Sequence, residues 1–111
     1  MKRILLLTVA ALLMSSCSND PVNTGRNDPA VVSMPGFTFS PFTTTIKVGK
    51  SVEFDFPSEA HNVIFEKKAG APTDIQVVLS TKVARTFNAV GTFPFDCTIH
   101  PGMSGQVIVT N

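Results

Sequence analysis

An all-β fold, an antiparallel Greek-key sandwich of seven or eight short strands with at most minor helix, is what this 111-residue chain predicts. From Ala30 onward, short runs of β-branched and aromatic residues are separated by proline, glycine, serine and asparagine, the pattern of strands and turns. Several runs alternate apolar and polar side chains with a period of two, which puts one face of each strand on a core and the other in water. No later stretch sustains a helical period with caps. So many short strands within about 80 residues point to a sandwich.

The first residues stand apart from that domain. Lys2-Arg3 is followed by a nearly unbroken apolar run from Ile4 to Met14, far short of the about 20 residues that cross a bilayer as a helix. It reads as a secretory signal. Leu13-Met14-Ser15-Ser16-Cys17 resembles a bacterial lipobox, which implies cleavage before Cys17 and a lipid on its thiol. Several acyl chains give stable anchoring where one alone is marginal. Residues 1–16 are thus expected to be a lipoprotein signal peptide, 17–30 a flexible tether and 31–111 the folded domain. The tether Ser18–Pro29 is polar, rich in proline, glycine and asparagine, and without periodicity. As a coil it spans about 20 Å.

The elements of the domain follow in order. Val31–Met34, Phe37–Phe39, Thr43–Val48 and Ser51–Phe56 are strand-like runs, divided by Pro35-Gly36, Ser40-Pro41 and Gly49-Lys50. Val52, Phe54 and Phe56 alternate with Glu53 and Asp55, and Ile46 and Val48 with Thr45 and Lys47. Asn62–Glu66 is the next strand, with His61 at its mouth. Glu66–Asp74 is a charged loop bearing glycine and proline, and Asp74–Leu79 and Val83–Phe87 are two more strands. In Thr92–Cys97, Phe93, Phe95 and Cys97 share one face. Pro94 lacks a ladder donor, so the strand is expected to be locally an edge or bulged there. Gly105–Thr110 closes the sheet.

Chemistry concentrates in Cys97-Thr98-Ile99-His100-Pro101-Gly102-Met103, a C-x2-H-x2-M spacing that places a thiol, an imidazole and a thioether in seven residues. The other histidine of the chain is His61. Two imidazoles and a thiolate with a weak axial thioether make up the donor set of a blue-copper electron-transfer site. If Cys17 carries lipid, Cys97 is the one free thiol of the mature chain, and an internal disulfide is excluded. Burial as a small hydrophobe is the plainer explanation of a lone cysteine, as hydrogen bonding is of a lone histidine.

These residues carry a resemblance to the cupredoxin family, nearest its plastocyanin and amicyanin branch, from about Val31 to Asn111. Phe39-Ser40-Pro41, Val48-Gly49-Lys50-Ser51-Val52, His61-Asn62-Val63, Gly91-Thr92-Phe93 and the 97–103 motif bear it. The resemblance implies one copper per chain, held by His61, Cys97, His100 and Met103. It implies that Asn62 ties the two ligand segments together, its N–H toward the thiolate and its side chain toward the Thr98 hydroxyl. It also implies electron exchange with redox partner proteins docking near the exposed edge of His100. Many relatives have proline where Ile99 stands. Ile99 keeps its N–H and is expected to offer the sulfur a second hydrogen bond. Asp96 replaces the tyrosine that plastocyanins often carry before the cysteine, so their remote docking patch is not carried over.

Other functions fit less well. An enzyme of this fold needs further histidine-rich copper sites, and both histidines are already used. A binuclear centre needs a second loop cysteine, and heme attachment needs C-x-x-C-H, which is absent. A copper chaperone or buffer, the alternative reading, would present clustered methionines or histidines, whereas Met34 and Met103 stand apart. Zinc would leave the thioether unused. Loss of residues 1–16 leaves seven basic against eight acidic residues, with no basic stripe for nucleic acid and no strong steering field. The expectation is a monomer in the periplasm or cell envelope, attached to a membrane through its N-terminal lipid only.

Overall fold

The computed structural model describes residues 29–111; the expected signal peptide, Cys17 with its expected lipid and nearly all of the expected tether lie outside them. Eight strands follow in chain order: β1 (Ala30–Ser33), β2 (Thr43–Lys47), β3 (Ser51–Phe56), β4 (His61–Phe65), β5 (Ile75–Val78), β6 (Thr81–Thr86), β7 (Gly91–Asp96) and β8 (Ser104–Thr110). Among the described residues there is no helix. The strands form a three-stranded sheet, β1-β3-β6, and a five-stranded sheet, β2-β8-β7-β4-β5. The sandwich matches the predicted fold class.

Pairing within the sheets is mixed. β1 runs parallel to β3, and β2 parallel to β8; the remaining pairs are antiparallel. Parallel neighbours cannot be joined by a tight hairpin. Both parallel pairs here join strands that are not consecutive in the chain, so the chain crosses between sheets before each pairing is made.

The core lies between the sheets and is aromatic. Val52, Phe54 and Phe56 are buried on alternate positions of β3, and Phe93 and Phe95 on alternate positions of β7. Phe95 is the hub: its ring meets Phe39, Phe54 and Phe65 at centroid distances of 4.9, 5.4 and 5.7 Å, each edge to face, the arrangement favoured by the ring quadrupole. Gly105, opposite Phe95 on β8, makes room for it. A Cβ at Gly105 would lie 2.8 Å from the Phe95 ring and 3.1 Å from the Phe42 carbonyl oxygen.

One local expectation is corrected and another is met. Phe37–Phe39 is not a strand. Pro35-Gly36 turns the chain there, Gly36 taking a φ of 64°, and only the Ser33–Ser40 bridge closes the loop. β7 lies between β8 and β4 and has no bulge at Pro94, its register with β8 running unbroken from Gly91 to Asp96. On the other side its pairing with β4 ends at Phe65 and Phe95, so at Pro94 the strand is locally an edge, as expected. The N and O of one strand residue point the same way. Because the Pro94 carbonyl accepts from Glu66 N–H at 2.9 Å, its missing donor faces the point where β4 has already ended.

Candidate metal centre

Two segments build the site. β7 delivers Cys97 on the buried face it shares with Phe93 and Phe95, and Cys97 itself is 2% exposed. The chain then turns twice before β8. His100 N–H donates to Cys97 O at 3.3 Å and Met103 N–H to His100 O at 3.1 Å, while Cys97 N–H donates to Met103 O at 2.9 Å. Gly102 takes a φ of 88° in the second turn, a conformation open to glycine at little cost. These bonds fold C-x2-H-x2-M into a closed loop with Cys97 and Met103 buried at its two ends and His100 half-buried between them.

His61 arrives from β4, at an irregularity in the β4–β5 register between His61 and Val63. Its donor atom, Cys97 Sγ and a His100 nitrogen all lie within 4.8 Å of one another. The two imidazole rings meet at a centroid distance of 4.8 Å and an angle of 60°, and His100 Nδ1 is 3.4 Å from Cys97 Sγ. The structure therefore brings together the three nitrogen and sulfur donors singled out from sequence, with Met103 buried in the same loop.

His61 is fully buried, and neither ring nitrogen has a hydrogen-bond partner. The nearest charge is the Glu59 carboxylate, 3.9 Å from Nε2, outside hydrogen-bond range. Burial, reinforced by the neighbouring His100 and opposed by Glu59, lowers the His61 pKa from its ordinary value. The ring is thus held neutral, the form that offers a lone pair to a metal.

Asn62 links the two segments. Its Nδ2 donates to Thr98 Oγ1 at 2.9 Å, and its Oδ1 accepts from Thr98 N–H, also at 2.9 Å. The sequence reading anticipated the first of these bonds and missed the second, for which a lone asparagine carries no signal. The N–H groups of Asn62 and Ile99 make no hydrogen bond to Cys97 Sγ, whose partner among the described residues is His100 Nδ1. In the first turn it is His100 N–H, not Ile99 N–H, that bonds back to Cys97, through its carbonyl.

One contact had no precursor in the sequence reading. Phe37, at the tip of the β1–β2 loop, places its ring 4.7 Å from that of His100 at an angle of 49°.

The donor set tests well against copper. A thiol, two imidazoles and a buried thioether suit a copper site held by two histidines and a cysteine, and a bound ion would satisfy a nitrogen of His61 that the protein leaves bare. An all-β sandwich holding one such cluster among its described residues is a mononuclear copper protein. The chain belongs to the plastocyanin/azurin family of copper binding proteins, whose family model matches residues 29–110. It is 34% identical over 86 residues to amicyanin from Paracoccus versutus, across 74% of this chain and 65% of that protein, so it spans a little under two thirds of that relative's length. The crystal structure of amicyanin from Paracoccus versutus aligns with a TM-score of 0.63 at 31% identity, over 74% of this chain and 81% of that one. A copper-containing nitrite reductase from Thermus scotoductus aligns with a TM-score of 0.67 at 26% identity, over 83% of this chain but 25% of the reductase.

Proposed function

We propose that this protein is a type 1 copper electron carrier whose single copper is held by His61, Cys97, His100 and Met103. The observation that carries the reading is the convergence of two imidazoles and a thiol within 4.8 Å around a buried histidine with both ring nitrogens unpartnered. Bound there, copper supplies a one-electron couple between Cu(II) and Cu(I).

The chain's own residues supply what electron transfer requires of the protein. Burial of His61, Cys97 and Met103 keeps water from the donor atoms. The backbone bonds of the 97–103 loop and the paired Asn62–Thr98 bonds hold the donors in one arrangement, as bonded surroundings do for metal ligands generally. His100 is half-buried, with exposed Ile99, Pro101 and Gly102 beside it. A redox partner approaching there comes within one side chain of the site.

Burial weighs against the alternative, an extracytoplasmic copper chaperone or buffer, because exchange needs donors that an incoming carrier reaches. Catalysis is disfavoured because the chain has two histidines and both are in this cluster. The motif ending at Cys17 supports an extracytoplasmic domain, residues 31–111, tethered by residues 17–30 to a lipid anchor after loss of residues 1–16. The absence of a basic stripe supports protein partners rather than nucleic acid, and the domain is read as a monomer.

The test is a visible spectrum of the full chain with one equivalent of Cu(II). An intense blue band, lost reversibly on reduction and abolished by Cys97→Ser, is the expected result. A colourless or faint product sinks the carrier reading and puts copper handling ahead.

A further inference from the structure

Phe37 is the most exposed large apolar side chain of the described residues, at 63%, yet its position is tightly specified. Ser33 and Ser40 close the base of its loop with two backbone bonds of 2.8 and 2.9 Å. Thr38 Oγ1 donates to Pro35 O at 2.9 Å within the turn. Met34 and Phe39, on either side, are buried at 3% and 4%, and Phe39 packs edge-on against the hub ring of Phe95. The core therefore sets where the tip of this loop lies, and the tip carries Phe37 onto His100.

His100 needs such a neighbour. Cys97, His61 and Met103 are walled in by the sandwich, whereas His100 sits on a turn whose adjoining residues are exposed. The one hydrogen-bonding contact of its ring among the described residues is the 3.4 Å approach of Nδ1 to Cys97 Sγ. The buried imidazole of His61 lies against it at 4.8 Å and the phenyl ring of Phe37 at 4.7 Å. Without Phe37, rotation about the His100 side chain would carry the imidazole toward water.

We propose that Phe37 is a positioning residue for His100. Its ring holds the imidazole against Cys97 and His61, slows loss of the metal through the exposed side of the site, and restricts the approach of a partner to the imidazole edge. The proposal rests on the reading of His100 as a copper ligand.

The experiment compares wild type with Phe37→Ala, Phe37→Leu and Phe37→Trp in the full chain. Three quantities are read: the blue band, the melting temperature of the metal-free protein, and the rate at which a Cu(I) chelator captures copper from the reduced protein. His100 ring-proton resonances in the metal-free protein provide a spectroscopic readout independent of copper. Phe37→Ala is expected to speed copper capture by about 3- to 10-fold, the scale of one aromatic pair, and to shift the His100 resonances more than those of His61. Phe37→Trp should restore both, Phe37→Leu only in part, with melting temperatures unchanged. Capture within twofold of wild type in Phe37→Ala overturns the proposal. So does equal behaviour of the Leu and Trp variants, or faster capture that merely follows a lowered melting temperature. A wild-type protein with no blue band overturns the carrier reading and this proposal together, whereas a normal band with unresponsive capture overturns the proposal alone.

Discussion

Asn62 and Thr98 are bound to each other twice, side-chain amide to hydroxyl and backbone N–H to amide oxygen, each at 2.9 Å. They lie one residue beyond His61 and one beyond Cys97. The pair thus clamps β4 to the start of the 97–103 loop at the point where their candidate ligands must meet. Asn62→Ala leaves the Thr98 N–H without its acceptor and removes both links. A part-buried unpaired donor carries a desolvation cost, and the expected loss of stability is about 1–3 kcal/mol, measured by urea unfolding. Copper retention should fall as well. Unchanged unfolding would show that the clamp is replaceable by water.

Gly105→Ala should destabilise the domain by about 1–3 kcal/mol, the usual scale of overpacking. The added methyl would meet Phe95 at 2.8 Å and the Phe42 carbonyl at 3.1 Å. Phe95 cannot swing aside, because three other aromatic rings surround it. Phe95→Leu in the same chain should recover part of the loss. A thermal melt of the single and double variants checks both.

His61 sets function against stability. A buried imidazole with two unpartnered nitrogens is costly in the metal-free state. His61→Leu should therefore leave the metal-free domain equally or more stable while abolishing the copper-dependent rise in melting temperature that ligand binding to the folded state produces. Melts with and without Cu(II) report both effects. A metal-free His61→Leu variant that unfolds more easily would count against an uncompensated imidazole.

Asp74 makes acid stability legible away from the site. Its carboxylate accepts from Lys67 at 2.6 Å and from Phe65 N–H at 2.8 Å. The Lys67 hydrogen bond chiefly, then the Phe65 bond and the charges of Lys67 and Arg85, outweigh burial and lower its pKa. A depressed folded pKa means that the charged form stabilises the fold above the unfolded value of about 4. That contribution is lost as pH falls through the lower folded value. Asp74→Asn keeps an acceptor for Phe65 but removes the charge. It should therefore lower stability at pH 7 and flatten its decline below pH about 4. Urea unfolding across that range is the check.

Much of the fold could be read from short windows. The alternation of Val52, Phe54 and Phe56 and the shared face of Phe93, Phe95 and Cys97 both stand in the structure as the period of two requires. Runs without a constraint from the partner strand were less secure. Phe37–Phe39 has the composition of a strand, but the Pro35-Gly36 turn leaves it no ladder. Pro94 pointed to a local edge, and β4 stops one residue short of it.

The candidate site divides along the same line. Three of its donors lie within seven residues, and the turns that close that loop are local, so residue identity and spacing were enough to single it out. His61 was legible as a candidate only because histidine is scarce in this chain; its place beside Cys97 depends on β4 pairing with β7. The second Asn62–Thr98 bond, the room that Gly105 makes for Phe95, and the ring of Phe37 on His100 join residues far apart in the chain. Periodicity and turn chemistry act over a few residues and are written in them. Which strands become neighbours, and in what register, follows from how the whole chain buries its apolar faces at once. Donor chemistry was therefore set locally, while the support and covering of those donors were decided only by the folded sandwich.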